Sequence, residues 1–287
     1  MEADLLQLLL GVAIFSILFS IGIGLAVGEF VGIIARPRAF ATIFGCQLLL
    51  LPAAAIVIAR VFGMNDATGF GLLLLAVCPG GVTSNMFTRI AGGFTALSVS
   101  LTACNSLLAV VSIPTVLFFG QKLLGMQAQI YTIPLEYLAG QLLVITFVPV
   151  LLGMAVKHFA PNAALRLERL LVPLTSGLFF LLIFSVWYLE FDTYRQAFLV
   201  SGLATVTLFI SACAISLLIA RGMGLARRER IAMVFEVGVQ NPPVAFFIAA
   251  SVIHDMGLMP PSAVYAVVMI IASVIMVPLI RRFPAFP

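Results

Sequence analysis

Two short polar clusters interrupt apolar stretches of this chain, and both carry oxygen-bearing side chains. One reads Cys-Pro-Gly-Gly-Val-Thr-Ser-Asn at 78–85, and the other reads Glu-Val-Gly-Val-Gln-Asn-Pro-Pro at 236–243. Carboxylate, hydroxyl and amide oxygens suit hard cations, whereas His and Cys ligands suit transition metals. Neither His of the chain lies deep in an apolar segment. The clusters therefore predict a cation held by oxygen atoms.

Glu236 is the acidic residue that stands deepest in an apolar segment. An unpaired charge at that depth is costly and marks a functional candidate, although a salt bridge to Arg230 is a structural alternative. We expect its carboxylate to neutralise a cation. Side chains with neutral oxygens for the same ion are available nearby. Two of them, Ser98 and Thr102, are four residues apart and share a helix face. These candidate ligands are Ser84, Asn85, Ser98 and Thr102.

The composition indicates where these clusters lie. Of 287 residues, 63% are hydrophobic and 9% are charged, and the mean hydropathy is +1.22. A soluble domain of this size has about 25% charged residues, so the chain is predicted to be an integral membrane protein. Its apolar runs are continuous, which favours helices over barrel strands. Nine segments are predicted to span the bilayer: 5–28, 39–61, 68–90, 94–120, 133–156, 170–189, 196–220, 230–253 and 260–280.

The basic residues divide unevenly between the two sides that nine spans define. Twelve lie on one side and three on the other, and the positive-inside rule makes the first side cytoplasmic. This predicts a multi-pass protein of the inner (plasma) membrane with its N-terminus outside and its C-terminus in the cytoplasm. The net charge of +4 is explained by these anchors, so no nucleic-acid partner is expected.

The two polar clusters coincide with helix-breaking residues at matched depths. Proline removes a backbone donor and glycine frees the backbone, so spans three and eight are predicted to be interrupted near the membrane midplane. The two spans enter from opposite faces. Segments 5–120 and 170–282 are therefore predicted to form an inverted repeat, with 133–156 as an extra span, the pattern typical of secondary transporters.

The same stretches resemble the bile acid:sodium symporter family. The resemblance lies in 78–85, in Ala-Leu-Ser-Val-Ser-Leu-Thr at 96–102 and in Glu-Val-Gly-Val-Gln-Asn at 236–241. Arg-Pro-Arg-Ala at 36–39 and the region from Gln47 to Pro52 extend it over nearly the whole chain. The chain resembles a bacterial-type homologue of this family with nine spans.

The resemblance implies two sodium ions. The first sodium site would use Ser84, Asn85, Ser98, Thr102 and Glu236. The second sodium site would use Gln47, Glu236, Gln240 and the backbone carbonyls of Val237 and Val239. It also implies a panel domain, approximately 1–30 and 133–190, and a core domain, approximately 39–120 and 196–282, in which the broken helices cross. For the substrate, the candidate contacts are Thr83, Asn85, Asn241 and Pro242.

The resulting functional hypothesis is a sodium-coupled symporter of an organic anion, either bile-acid-like or a small carboxylate or sulfonate, that works by alternating access as a monomer. A proton-coupled carrier or antiporter, with Glu236 as the titrating group, is the alternative. A passive channel fits the breaks less well than gated binding does. An enzyme is not expected, because an intramembrane hydrolase needs a nucleophile and a base at depth and Glu236 has no such partner.

Overall fold

The computed structural model describes residues 2–24, 35–125, 137, 140–141, 143–189 and 191–282. Within these residues all extended regular structure is helical, and the one β-type pairing is an isolated antiparallel bridge between Gly80 and Gln240. The prediction of an all-helical chain is confirmed. Residues 25–28 at the end of predicted segment 5–28 and the beginning of segment 133–156 lie outside the described residues.

Each of the nine predicted apolar segments contains helix where it is described, and the helices are numbered here in chain order. They are α1 (Glu2–Gly24), α2 (Pro37–Val61), α3 (Asp66–Val77), α4 (Val82–Ile90), α5 (Thr95–Leu123), α6 (Val148–Phe159), α7 (Pro161–Leu189), α8 (Phe191–Gly222), α9 (Arg227–Gly238), α10 (Pro242–Phe247) and α11 (Met259–Arg282).

Length and composition make four of the described helices able to cross a membrane on their own: Pro37–Val61, Thr95–Leu123, Arg195–Gly222 and Met256–Arg282. Shorter apolar helices are present as well, among them Asp66–Val77 and Pro242–Ile253, which belong to the predicted interrupted spans. The structure thus has the helices of a polytopic membrane protein. The count of nine spans stays a prediction.

In the part of the chain that the structure describes, three helical stretches are wider than an α-helix. Residues Cys46–Leu50 within α2, Leu143–Phe147 before α6 and Ile248–Ile253 after α10 form π turns. In the first two, a proline (Pro52 or Pro149) follows two residues after the turn. A proline ring clashes with the carbonyl one α-helical turn earlier, and a wider turn relieves that clash. π turns are frequent at functional sites.

The helices pack in two groups. In the first, α1 lies against α6 and α7. The contact between α1 and α6 is backbone to backbone: a Cβ added to Gly22 would lie 2.2 Å from the carbonyl oxygen of Val150, and one added to Gly153 would lie 2.4 Å from that of Phe19. Small residues permit this approach, as is common between membrane helices.

The second group contains the interrupted helices. Helix α8 packs against α9 and α11, α3 lies against α2, α5 and α11, and α4 lies against α5 and α9. Their interface is continuous and apolar, with fully buried side chains that include Leu72, Leu97, Phe235 and Tyr265. The polar residues of the two clusters lie inside this group, so the apolar packing positions them.

One end of this group gathers residues that the charge pattern assigned to a single membrane face. Arg36 forms an ion pair with Glu229, with 3.4 Å between Nη1 and Oε1. The guanidinium groups of Arg36 and Arg228 lie 5.8 and 6.0 Å from the centre of the Phe94 ring. The connecting segments that contain Arg36, Phe94 and Arg228 therefore meet at one end of this group. The predicted nine-span arrangement places the same three segments on one side of the membrane.

Candidate functional site

The candidate site lies where two interrupted helices meet. Helix α3 ends at Val77 and α4 begins at Val82, while α9 ends at Gly238 and α10 begins at Pro242. The backbone between them is extended at Cys78 (φ −67°, ψ 145°). The antiparallel bridge between Gly80 and Gln240 joins the two gaps. Both gaps coincide with the proline and glycine residues that favour leaving helical geometry.

A fully buried carboxylate stands at the centre of this crossing. Glu236 has no exposed surface, and it accepts hydrogen bonds from three hydroxyl groups. The donors are Ser84 Oγ at 2.9 Å, Ser98 Oγ at 2.8 Å and Thr102 Oγ1 at 2.7 Å. Among the described residues the carboxylate makes no ion pair. The alternative of a salt bridge to Arg230 is therefore wrong for this structure.

The hydroxyl groups of this cluster face more acceptors than they have protons. Each carries one proton and faces an oxygen of Glu236 and a second acceptor, which is the Gly81 carbonyl for Ser84 and the Asn85 Oδ1 for the other two hydroxyls. Ser98 Oγ also lies 3.4 Å from the hydroxyl oxygen of Thr88. Turning the Asn85 amide would still leave Ser84 between two acceptors. Lone pairs that face each other repel, and a cation among them removes the repulsion.

The two halves of the crossing approach closely at Gly80. A Cβ at this residue would lie 2.7 Å from Oε1 of Glu236, a distance that real Cβ contacts do not show. A Cβ at the next residue, Gly81, would lie 3.7 Å from the side chain of Asn241, which is an ordinary contact. Gly80 thus provides the space in which the carboxylate sits.

The residues expected for the second sodium site lie on α2 and around the second gap. Gln240 is 1% exposed, and its Nε2 donates to the carbonyl of Val237 at 2.7 Å, while its Oε1 is buried without a partner. Gln47 is 4% exposed and lies in the π turn of α2, and its Nε2 is also buried without a partner. Val239 is fully buried at the end of α9.

The residues expected to contact substrate lie at the starts of the half-helices. Thr83 is half-buried in the first turn of α4, and Asn241 is 5% exposed beside Gly81. Pro242 is buried at the first position of α10. Asn85 is half-buried, and its Oδ1 accepts from Ser98 and Thr102, so it belongs to the hydroxyl cluster.

Sequence reasoning missed two buried residues of this region. Asn105 on α5 donates from Nδ2 to Oε1 of Gln47. Its spacing from two candidate ligands could have indicated it. Asn105 follows Thr102 by three residues and Ser98 by seven, so it shares their helix face. Tyr265 on α11 is fully buried and donates from its hydroxyl to the Gly238 carbonyl at 2.7 Å. A lone tyrosine in an apolar segment gave no comparable signal.

The Tyr265 hydroxyl satisfies a carbonyl that the interruption of α9 leaves without a helical partner. We expect Tyr265→Phe to destabilise the protein by about 1–3 kcal/mol, because a buried acceptor loses its donor. The measurement is thermal unfolding of the purified protein in detergent. Tyr188→Phe is the matched control, because Tyr188 is 85% exposed. Equal melting temperatures of Tyr265→Phe and wild type would contradict the assigned role.

No group of three or more His, Cys, Asp or Glu side chains that could hold a metal ion is present among the described residues. The cluster at Glu236 offers a single carboxylate together with neutral oxygens, which are atoms that suit a hard cation. The model of the Sodium Bile acid symporter family matches residues 11–196. This chain belongs to that family.

Named relatives agree with this assignment. The human ileal sodium/bile acid cotransporter is 28% identical over 228 residues, which cover 78% of this chain and 64% of the relative. A bovine sodium-dependent organic anion transporter is 29% identical, with coverages of 58% and 44%. A probable chloroplastic sodium/metabolite cotransporter of Arabidopsis thaliana is 25% identical, with coverages of 81% and 56%.

The family and its named members are transporters, which confirms the prediction of a transporter and not an enzyme. The matched parts of this chain span between 44% and 64% of the lengths of these relatives. The relatives come from mammals and a plant, and the bacterial character of this chain stays a prediction.

Proposed function

We propose that this protein is a sodium-coupled symporter of an organic anion that works by alternating access. The observation that carries the proposal is the buried carboxylate of Glu236, surrounded by three hydroxyl groups from two different helices at the crossing of the interrupted spans. Relatives named as sodium/bile acid and sodium-dependent organic anion transporters support sodium as the coupling ion.

A first sodium ion would bind among Ser84, Asn85, Ser98, Thr102 and Glu236. The charge of the ion would neutralise a carboxylate that is buried without a counter-ion among the described residues, which is costly in a membrane protein. It would also separate the oxygen atoms that now face each other without enough protons. Ser84 comes from α4 and Glu236 from α9, so the ion would fix the two halves of the crossing relative to each other.

A second sodium ion would bind at Gln47, Glu236, Gln240 and the carbonyls of Val237 and Val239. The buried and unpartnered Oε1 of Gln240 supports this site, because a buried acceptor without a partner is rare in native proteins. The π turn at Gln47 supports it as well. In this scheme sodium binds first and orders both gaps.

The organic anion would then bind beside the ions at the starts of the half-helices, in contact with Thr83, Asn85, Asn241 and Pro242. Helix α4 begins without a side-chain cap, and its free amide groups and dipole favour a negatively charged group. A bile-acid-like molecule or a small carboxylate or sulfonate has the required charge.

Transport would involve movement of the core domain (39–120 and 196–282) against the panel domain (1–30 and 133–190), with inverted repeats at 5–120 and 170–282. The packing of α1 mainly against α6 and α7, with a smaller contact to α10, supports this division. We further propose a monomer in the inner (plasma) membrane, with the N-terminus outside and the C-terminus in the cytoplasm.

The deciding experiment measures sodium binding before a substrate is known. We expect NaCl, but not KCl, to raise the melting temperature of the purified protein, and we expect a screen of organic acids to reveal a further increase that requires sodium. Ser98→Ala with Thr102→Ala should remove two neutral ligands and weaken sodium binding about five- to a hundredfold, because each removed polar contact contributes about 0.5–1.5 kcal/mol. Ser100→Ala is the control, because Ser100 lies on another face of α5.

The alternative is coupling to protons, because protonation of Glu236 would also supply a missing proton to the hydroxyl cluster. Uptake of a screened anion into proteoliposomes separates the two functions. Uptake driven by a proton gradient in the absence of sodium, with no effect of NaCl on melting, would replace sodium coupling by proton coupling.

A further inference from the structure

We propose that Asn105 is a positioning residue that orients the amide of Gln47 and so links the second sodium site to the first. The inference rests on the proposed function and concerns a residue outside both expected ligand sets. Asn105 is 9% exposed, and its Nδ2 donates to Oε1 of Gln47. This contact joins α5 to the π turn of α2.

The contact decides which atom of Gln47 can face a cation. The side-chain carbonyl oxygen of Gln47 has two lone pairs, and Asn105 occupies one of them. The other remains available for an ion. The amide nitrogen carries the positive end of the group and would repel a cation, and it is buried without a partner. Without Asn105, no described contact would keep the side-chain oxygen of Gln47, and not its nitrogen, turned towards the ion.

The same helix face carries ligands of the first sodium site. Ser98 and Thr102 donate to Glu236, and Asn105 lies one turn further along α5, in contact with Gln47. An ion bound at Glu236 fixes the position of this face, and the fixed face presents Asn105 to Gln47. Occupation of the first site thereby prepares the second, which is a coupling between sites through one rigid element.

The test measures binding of radioactive sodium to the purified wild-type protein and to two variants of Asn105. With two coupled sites, wild-type binding should have a Hill coefficient above 1 and at most about 2. Asn105→Leu keeps the approximate volume and removes the donor. We expect the sodium concentration for half-saturation to rise about tenfold, as loss of a buried hydrogen bond implies, and the Hill coefficient to fall towards 1.

Asn105→Asp distinguishes orientation from direct ligation. A carboxylate accepts but does not donate, so it would pair with Nε2 of Gln47 and turn its oxygen away. Sodium affinity should therefore fall, although a negative charge has been added. If Asn105 were itself an ion ligand, the added charge would raise the affinity. Ser100→Ala, a buried polar change on another face of the same helix, should leave binding unchanged.

Each outcome has one meaning. Unchanged affinity and Hill coefficient in Asn105→Leu, or raised affinity in Asn105→Asp, would overturn the role of Asn105 while sodium coupling stands. Absence of sodium binding by the wild-type protein would overturn the proposed function and this inference together. Melting in KCl reports whether Asn105→Leu folds. If it does not fold, the direction of the change in sodium affinity of Asn105→Asp decides the test.

Discussion

Replacing Glu236 by glutamine is expected to abolish the response to sodium without unfolding the protein. At an effective dielectric constant of about 20, a cation 4 Å from a carboxylate gains about 4 kcal/mol, so loss of the charge should lower sodium affinity on the order of a thousandfold. The amide keeps the size of the side chain and removes a buried charge that has no counter-ion among the described residues. The measurement is the melting temperature in NaCl and in KCl.

Glu229→Gln is the matched control for this experiment. Glu229 is also buried, at 7% exposure, but its carboxylate pairs with Arg36 and accepts from the backbone nitrogen of Ala226 at 2.8 Å. We expect this variant to melt at a lower temperature and to keep its sodium-dependent increase. Equal sodium responses of Glu236→Gln and wild type would exclude Glu236 as the ion ligand.

The second large effect is expected from adding one methyl group at the crossing. The Cβ of Gly80→Ala would lie 2.7 Å from Oε1 of Glu236, so either the carboxylate must move or the two gaps must separate. Overpacking of this kind costs about 1–3 kcal/mol. Because the displaced group is the proposed ion ligand, sodium stabilisation should be lost as well. Melting in NaCl and KCl measures both effects.

Gly81→Ala provides a control one residue away. Its Cβ would meet the Asn241 side chain at 3.7 Å, an ordinary van der Waals contact, and the backbone there is extended (φ −121°), which suits alanine. The control should bind sodium as the wild type does. If Gly80→Ala also behaves like wild type, the approach between Gly80 and the carboxylate is looser than described.

Much of the candidate site followed from the sequence because its parts are local. The proline and glycine residues clustered at 79–81 and the two prolines at 242–243 favour an interruption of a helix, and the helices do end at Val77 and Gly238. The spacing of Ser98 and Thr102 required them to share a helix face. The one deep carboxylate gave these hydroxyls a partner, and the structure brings all three residues into contact.

What the sequence did not reveal depends on how the helices rotate against each other. Asn105 was recognisable only as another polar residue on α5 until the structure placed it against Gln47. Tyr265 required knowledge that α11 passes the end of α9. The π turn at Cys46–Leu50 has no pattern of its own, because the same residues would form an α-helix if packing did not favour the wider turn.

That π turn changes where a residue can be removed from α2. A π turn holds one residue more than an α-helix needs to close its hydrogen bonds, and each residue rotates a regular α-helix by about 100°. Deleting one residue at 48–50 would let the helix close as a regular α-helix, so residues 37–45 would keep their orientation relative to 51–61. Deleting one residue within 53–58 would instead rotate the two parts of α2 by about 100° relative to each other. Single-residue deletions should therefore be tolerated better within the π turn than in the regular part of α2.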